Sequence, residues 1–235
     1  MSKDAMQPAD AAQPREEQYT RLGDVAARFG RTELGLMMNQ TWHDDPKRMT
    51  FTFARYKFAA RMLSGRQNVL EIGCGDAFPS RIVQQEVERL TVTDFDPIFI
   101  AEVTRRPVPG WEFAGAFVHD MMSGPPPGNY DGMYALDVLE HIQPSDEDRF
   151  LGNAIGALEP HGAMLIGMPS LESQIYASPL SKQGHVNCKT SPDLKSTMQR
   201  HFHNVFMFAM NDEVLHVGYH KMAHYLFALC CDKRG

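Results

Sequence analysis

Asn68-Val69-Leu70-Glu71-Ile72-Gly73-Cys74-Gly75-Asp76-Ala77-Phe78-Pro79-Ser80 is the stretch whose reading decides the fold. It opens with a short aliphatic run, Val69 to Ile72, of the length and branching expected of a buried strand. Gly73 to Ala77 then makes a tight turn, and Ser80-Arg81-Ile82-Val83-Gln84-Gln85 is compatible with a helix. Strand, glycine turn and helix in that order open an α/β unit. Glycine carries no Cβ, so Gly73 and Gly75 can take positive φ and let a ligand lie against the main chain. The helix behind the turn offers free N–H groups to polar ligand atoms.

Two cofactor classes use such a turn, and spacing separates them. A dinucleotide site wants G-x-G-x-x-G/A, whose last small residue lets the helix pack closely under a pyrophosphate. Counted from Gly73, that slot holds Phe78, which is too large. The residues read instead as acid-x-Gly-x-Gly-x-small, with Glu71, Gly73, Gly75 and Ala77. This resembles the first motif of class I S-adenosylmethionine-dependent methyltransferases, with Ala77 where a third glycine is common. The resemblance implies that Glu71, Gly73 and Gly75 belong to the cofactor site.

Reading outward, Leu90-Thr91-Val92-Thr93 is expected to be a second strand ending at Asp94. Its distance from Gly75 suits a carboxylate that accepts hydrogen bonds from both hydroxyls of a ribose. Asp96 is the expected N-cap of a helix carrying Phe99, Ile100 and Val103. A third strand is expected near Glu112–Phe117, and a fourth over Tyr130–Ala135. In the segment Leu136 to Ile142 that follows, a helix would put Asp137, Glu140 and His141 on one face, at i, i+3 and i+4. Further on come a fifth strand, Ala163–Met168, a polar loop, Leu171–Thr190, and a helix over Ser191–His201. A sixth strand, Asn204–Met210, a loop, Asn211–His224, and a returning antiparallel strand, Tyr225–Cys231, complete the chain.

The run Tyr130-Asp131-Gly132-Met133-Tyr134-Ala135-Leu136-Asp137-Val138-Leu139-Glu140-His141-Ile142 looks like the fourth motif of the same methyltransferases, and Leu158-Glu159-Pro160-His161-Gly162 resembles their L-x-P-x-G turn. Resemblance thus covers about Arg55 to Ser170. It implies a doubly wound, seven-stranded Rossmann-like sheet with an antiparallel last strand and an N-terminal helical cap. It also implies S-adenosylmethionine as cofactor. Asp120 takes the place of the acid that accepts from the adenine amino group, Met121 that of the residue packing on the ring, and Ala135 lies at the cofactor end of the fourth strand. Arg55 falls where an Arg-Tyr pair often faces the cofactor, and its planar fork suits a methionine carboxylate. The chain is also similar to methyltransferases associated with bacterial surface polysaccharides, which implies a hydroxyl of a sugar or nucleotide-linked sugar as acceptor. An amine or phosphoryl metabolite is the alternative acceptor, and a catalytically silent cofactor-binding module the alternative class.

Composition bounds the rest. The 235 residues carry a formal net charge of -6, the wrong sign for general phosphate binding, so no nucleic-acid partner is expected. The first residues lack the basic and apolar segments of a signal peptide, and no apolar run is long enough to enter a membrane. Cys74, Cys188, Cys230 and Cys231 show no C-x-x-C spacing and read as free thiols of a reducing cytoplasm. Residues 1–18, rich in Pro, Ala and polar groups, are expected to be a disordered tail. Residues 19–63 read as the helical cap, with one or two short helices to Gln40, a turn at Trp42–Pro46 and a helix from Lys47 to Leu63; residues 64–235 are the cofactor-binding domain.

Methyl transfer to a hydroxyl needs an aligned acceptor and removal of a proton. His141 is the first candidate base and His185 the second, with Asp137 beside them. A divalent metal is the other option: Asp137, Glu140 and His141 with a later histidine, His185 or His216, are ligand types that can hold an ion and lower the pKa of a bound hydroxyl. His216, His220 and His224 have helical spacing, broken by Gly218.

Overall fold

The computed structural model describes residues 14–235. Five parallel strands form its centre: β1 (Val69–Ile72), β2 (Leu90–Asp94), β3 (Gly115–Val118), β4 (Tyr130–Leu136) and β5 (Leu158–Pro169). With β6 (Phe202–Asn211), β7 (Val214–His216) and β8 (Tyr225–Lys233) they make one sheet in the order β3-β2-β1-β4-β5-β8-β6-β7. β8 runs antiparallel to both of its neighbours, β5 and β6. Side chains alternate across the sheet, as the two-residue period of a strand requires. On β4, Met133 and Ala135 enter one apolar cluster while Tyr134 and Leu136 enter the other. Both faces are therefore buried, which is why the strand sequences are nearly continuous apolar runs.

The N-terminal segment supplies α1 (Thr20–Phe29), α2 (Leu36–Asp44) and α3 (Arg48–Met62). α3, α4 (Ser80–Gln84) and α5 (Pro97–Arg105) cover one face through Tyr56, Ala59, Val83, Ile100 and Val103. α6 (Glu147–Gly156), α7 (Pro179–Gly184) and α8 (Ser191–Gln199) come later in the chain. α6 and α8 cover the other face through Phe150, Leu151, Leu194 and Met198. α5 begins as its sequence directs, with the Asp96 carboxylate accepting from the Ile98 N–H at 3.0 Å and Pro97 in the first turn. No described helix is long and apolar enough to cross a membrane.

The structure departs from the sequence expectations at identifiable points. The sheet has eight strands, not seven: Asp212, at φ 49, reverses the chain so that β7 folds back on the end of β6, pairing Asn211 with Val214. β3 begins at Gly115 and not near Glu112, because its partner β2 starts only at Leu90 and the ladder opens with Thr91 opposite Gly115. Trp42 to Asp44 belong to α2; the turn is confined to the residues after it. The polar loop after β5 contains a 3-10 segment, Glu172–Tyr176, and α7. In place of a helix after β4 there is one 3-10 turn, Leu139–His141, because Asp137 stands at φ 58 and its N–H is taken by the Gly167 carbonyl at 3.0 Å. Of the expected tail, residues 1–13 lie outside the described residues, and Glu17–Tyr19 form a 3-10 turn.

Among the buried acidic side chains, Glu71 joins the N-terminal segment to the sheet. Glu71 on β1 is buried and accepts hydrogen bonds from the hydroxyls of Tyr56 on α3, at 2.8 Å, and Tyr134 on β4, at 2.6 Å. It ties the last helix of the N-terminal segment to the centre of the sheet. Burial pushes its pKa from an ordinary 4.5 up to about 7, against the opposing pull of its hydrogen bonds. The folded chain therefore keeps a proton that the unfolded chain has released, so Glu71's contribution is largest below its ordinary pKa and is lost as pH rises through about 7. Denaturant titrations at about pH 5 and about pH 8 should show a smaller loss of stability with rising pH for Glu71→Gln than for the wild-type chain. Equal losses in the two proteins would remove Glu71 as a titrating group.

Candidate active site

From β1 the chain proceeds to β2 and β3 on one side and then crosses to β4 on the other, so the C-terminal ends of these strands leave a crevice where the order reverses. A cavity of about 550 Å³ opens there, bordered by the glycine turn and by the residues that leave β2, β3 and β4. The turn is pinned to β2: the Gly73 and Cys74 N–H groups both donate to the Thr93 carbonyl, at 2.8 and 3.0 Å. Gly73 and Gly75 have φ of 73 and 52. A Cβ on Gly73 would stand 2.4 Å from Val138 Cγ2, and one on Gly75 would stand 2.4 Å from Met37 Sδ. At Gly73 the β-branched Val138 adds crowding to the positive φ, whereas at Gly75 a Cβ would have to displace the flexible Met37 side chain, so there the positive φ is the stronger reason for glycine.

Asp94, at the tip of β2, accepts from the Gly75 N–H through Oδ2 at 2.9 Å and from the Asp96 N–H through Oδ1 at 3.0 Å. A carboxylate has about four acceptor positions, so each oxygen retains one, and Asp94 borders the cavity. Met121, buried, and Asp120, exposed, leave β3 and border the same cavity. One Asp120 oxygen accepts from the Met122 N–H at 2.8 Å. Phe95 and Phe99 add apolar wall. The result is an apolar slot flanked by two carboxylates, suited to a flat ring system bearing hydroxyl and amino donors.

The far end of the cavity is built from the turn after β4. Asp137 borders it and receives Arg55 Nη1 at 2.9 and 3.1 Å. Arg55 lies on α3 with its guanidinium 3.8 Å from the centre of the Tyr225 ring. Burial works to lower the Arg55 pKa, but the surrounding groups, Asp137 foremost, outweigh it and the net shift is upward, so the guanidinium keeps its charge. Arg55 stands behind Asp137, outside the cavity lining; Glu71 and Ala135 lie deeper, in the core. Glu140 is 0% exposed, and neither of its carboxylate oxygens has a hydrogen-bond partner. Burial first, then the nearby Asp137 charge, hold its pKa well above the usual carboxylate range.

His141 is exposed and borders the cavity, with Nδ1 2.9 Å from the Gly184 carbonyl oxygen. Its ring centre is 5.2 Å from that of His185, whose Nδ1 is 2.9 Å from Gln174 Oε1. Burial, and next the neighbouring His141, push the His185 pKa down, which favours the neutral ring. The backbone holds this pair together: the Val186 and Asn187 N–H groups both donate to the Glu140 carbonyl, at 2.8 and 3.0 Å. Glu147 anchors the same loop, bonding Asn187 Nδ2 and Lys189 Nζ, each at 2.8 Å. The expected one-face array of Asp137, Glu140 and His141 is not formed, since a 3-10 turn sends Glu140 inward and His141 outward. Of the two later histidines considered as partners, His185 meets this cluster; His216 lies on β7 and bonds Asn211 Oδ1 at 2.8 Å. His216, His220 and His224 fall on a strand, a 3-10 turn and a connecting residue, not on one helix.

The role of Asp76 was missed by sequence reasoning. Asp76 Oδ2 accepts from the Met38 N–H at 3.0 Å, capping α2 from the glycine turn, and Oδ1 accepts from the Phe78 N–H at 3.0 Å. α2 is thereby set over the turn, with Met37 against Gly75. A signal was present: α2 follows Gly35, which has no side chain to cap it, and the acceptor had to come from elsewhere.

The model of a family described as a methyltransferase domain, Methyltransf_23, matches residues 41–201. Among curated proteins none matches the chain in sequence. The N-methyltransferase NodS from Bradyrhizobium japonicum WM9, solved with S-adenosyl-l-homocysteine, superposes with a TM-score of 0.61 at 19% identity, over 80% of this chain and 92% of that one. A DhpI-SAM-HEP complex superposes with a TM-score of 0.60 at 16% identity, over 89% and 95% of the two chains. The methyltransferase domain of bacterial CtHen1-C gives 0.63 at 12% identity, over 77% and 98%. At these identities the likeness is one of fold.

Because Asp76 caps α2 across the cavity rim, Asp76→Ala should cost about 1 to 2 kcal/mol and speed proteolytic cleavage within α2. Unchanged thermal unfolding together with unchanged cleavage would show that α2 is held by other contacts.

Proposed function

The chain belongs to the methyltransferase domain family, and from that membership we propose that it moves a methyl group from S-adenosylmethionine to a hydroxyl of a small polar acceptor, a sugar or nucleotide-linked sugar. The observation that carries the cofactor reading is Asp94: a buried carboxylate at the end of β2, locked to the Gly75 N–H, with one acceptor position per oxygen still open. Two open acceptors on one rigid carboxylate match the paired hydroxyls of a ribose. Asp120 accepts from an exocyclic amine, while Met121 and Phe99 supply apolar contact to the rings. Gly73 and Gly75 let the nucleoside approach the main chain. Asp137 serves the amino-acid end; Arg55, whose charge is already spent on Asp137, holds that carboxylate in place.

When bound, the cofactor supplies a methyl carbon on a sulfonium, open to in-line displacement. The acceptor oxygen forms the new bond to carbon, the carbon–sulfur bond breaks with its electron pair left on sulfur, and the hydroxyl proton must leave. His141 is the group at the cavity edge assigned to that proton. With Nδ1–H donated to the Gly184 carbonyl, the lone pair is on Nε2. The His141–His185 pair marks the acceptor end, and the polar loop after β5 that carries His185 supports a hydroxylated acceptor.

Calorimetry should detect S-adenosylmethionine binding, and Asp94→Ala should weaken it about tenfold or more, the equivalent of losing hydrogen bonds to a charged group, with the fold unchanged by circular dichroism. Equal affinity in the two proteins would withdraw the ribose assignment. Mass spectrometry of a panel of sugars, nucleotide sugars, amines and phosphoryl compounds should then show a methylene-mass gain on a hydroxyl compound. Binding without turnover on the whole panel would favour a silent cofactor-binding module.

A further inference from the structure

We infer that Glu140, His141 and His185 form a binding site for one divalent first-row transition ion at the acceptor end of the cleft. One carboxylate oxygen and one nitrogen from each imidazole all lie within 4.8 Å of one another. Bonds of about 2.1 Å place neighbouring ligands about 3 to 3.5 Å apart, so the set closes by up to about 1.3 to 1.8 Å on binding, with the exposed His141 ring the part that moves.

Glu140 is the independent observation that points to a ligand. Its carboxylate is fully buried with both oxygens unpartnered, a costly state for a polar group. Arg55 acts on it through its charge alone and gives its oxygens no hydrogen bond, being paired with Asp137 at 2.9 Å. A divalent ion is the partner this geometry lacks.

The histidines are prepared in the way metal ligands are. Each has Nδ1 at 2.9 Å from a carbonyl oxygen, that of Gly184 for His141 and that of the Gln174 side chain for His185. Such bonds fix the tautomer and leave Nε2 with its lone pair for a metal. The two hydrogen bonds from Val186 and Asn187 to the Glu140 carbonyl hold the His185 loop against the Glu140 turn, so the three ligands are set by rigid backbone. Two imidazoles and one carboxylate favour a transition ion over Mg²⁺ or Ca²⁺ and leave coordination positions open. Because His141 borders the cavity, an open position can take an acceptor oxygen, and an ion there acidifies a bound hydroxyl directly, in place of proton removal by the His141 lone pair. That use of the ion rests on the methyl-transfer reading; ion binding does not.

Co²⁺ titrated into chelator-treated full-length chain, without S-adenosylmethionine, should give visible d–d absorption bands that saturate at one ion per chain. Glu140→Gln and His185→Ala should each weaken that binding about tenfold or more, the range for loss of a ligand or its support, while His216→Ala, outside the cluster, keeps it. No saturable bands, or bands unchanged in both ligand variants, would overturn the site. Asp94→Ala should lose cofactor affinity and retain Co²⁺ binding, so failure of the ion site and failure of the cofactor reading give different results.

Discussion

The structure depends on a constraint of space at one turn. β1 leaves the sheet through a main chain that has positive φ at Gly73 and Gly75, where glycine is favoured, and Val138 and Met37 pack into the space that the missing Cβ atoms leave. The same turn gives its N–H groups to the end of β2, at the Thr93 carbonyl and the Asp94 carboxylate. Strand order then does the rest, since parallel strands that diverge on either side of β1 leave their C-terminal ends around one crevice. Everything assigned to cofactor binding hangs from residues that leave those strand ends.

Around this crevice four acidic side chains are treated in four ways, and the differences sort their roles. Glu71 is neutralised by burial between two tyrosine hydroxyls and serves as a fastener. Asp94 is held by two main-chain N–H groups and keeps acceptor positions open. Asp137 is paired with Arg55, so its charge is compensated within the protein. Glu140 is buried with no hydrogen bond to either carboxylate oxygen, and the two histidines with bare Nε2 atoms stand beside it. Physical cost makes Glu140 the conspicuous member of the set: a buried carboxylate without a donor is the state that binding a cation relieves.

The N-terminal helices belong to the site through α2. Asp76 caps α2 from within the glycine turn, and Met37 rests on Gly75, so the cap and the turn share a carboxylate and a van der Waals contact. Glu147 does the same on the opposite side, where Asn187, Lys189 and Arg200 converge on one carboxylate and hold the His185 loop to α6 and α8.

Much of this was legible in the residues. The β1 run, the glycine turn, the Asp96 cap and the alternation along β4 are governed by neighbours a few positions away, and local spacing is enough to read them. The order of motifs likewise pointed to a doubly wound sheet, and Asp94 could be set at a strand end by counting. Reading failed where a distant group overrode local preference. Asp137 to His141 has helical spacing, but the Gly167 carbonyl and Arg55 hold Asp137 at positive φ and break the helix. β7 exists because β6 offers it an edge. No spacing rule chooses His185 over His216 as the neighbour of His141, or Asp76 as the cap of a helix 38 residues earlier. By itself the sequence determined the strands other than β7, the turn and the carboxylates at the rim, because periodicity and backbone sterics act over a few residues. Only the tertiary structure decided which side chains face one another across the cleft, because packing joins segments whose separation along the chain carries no geometric information.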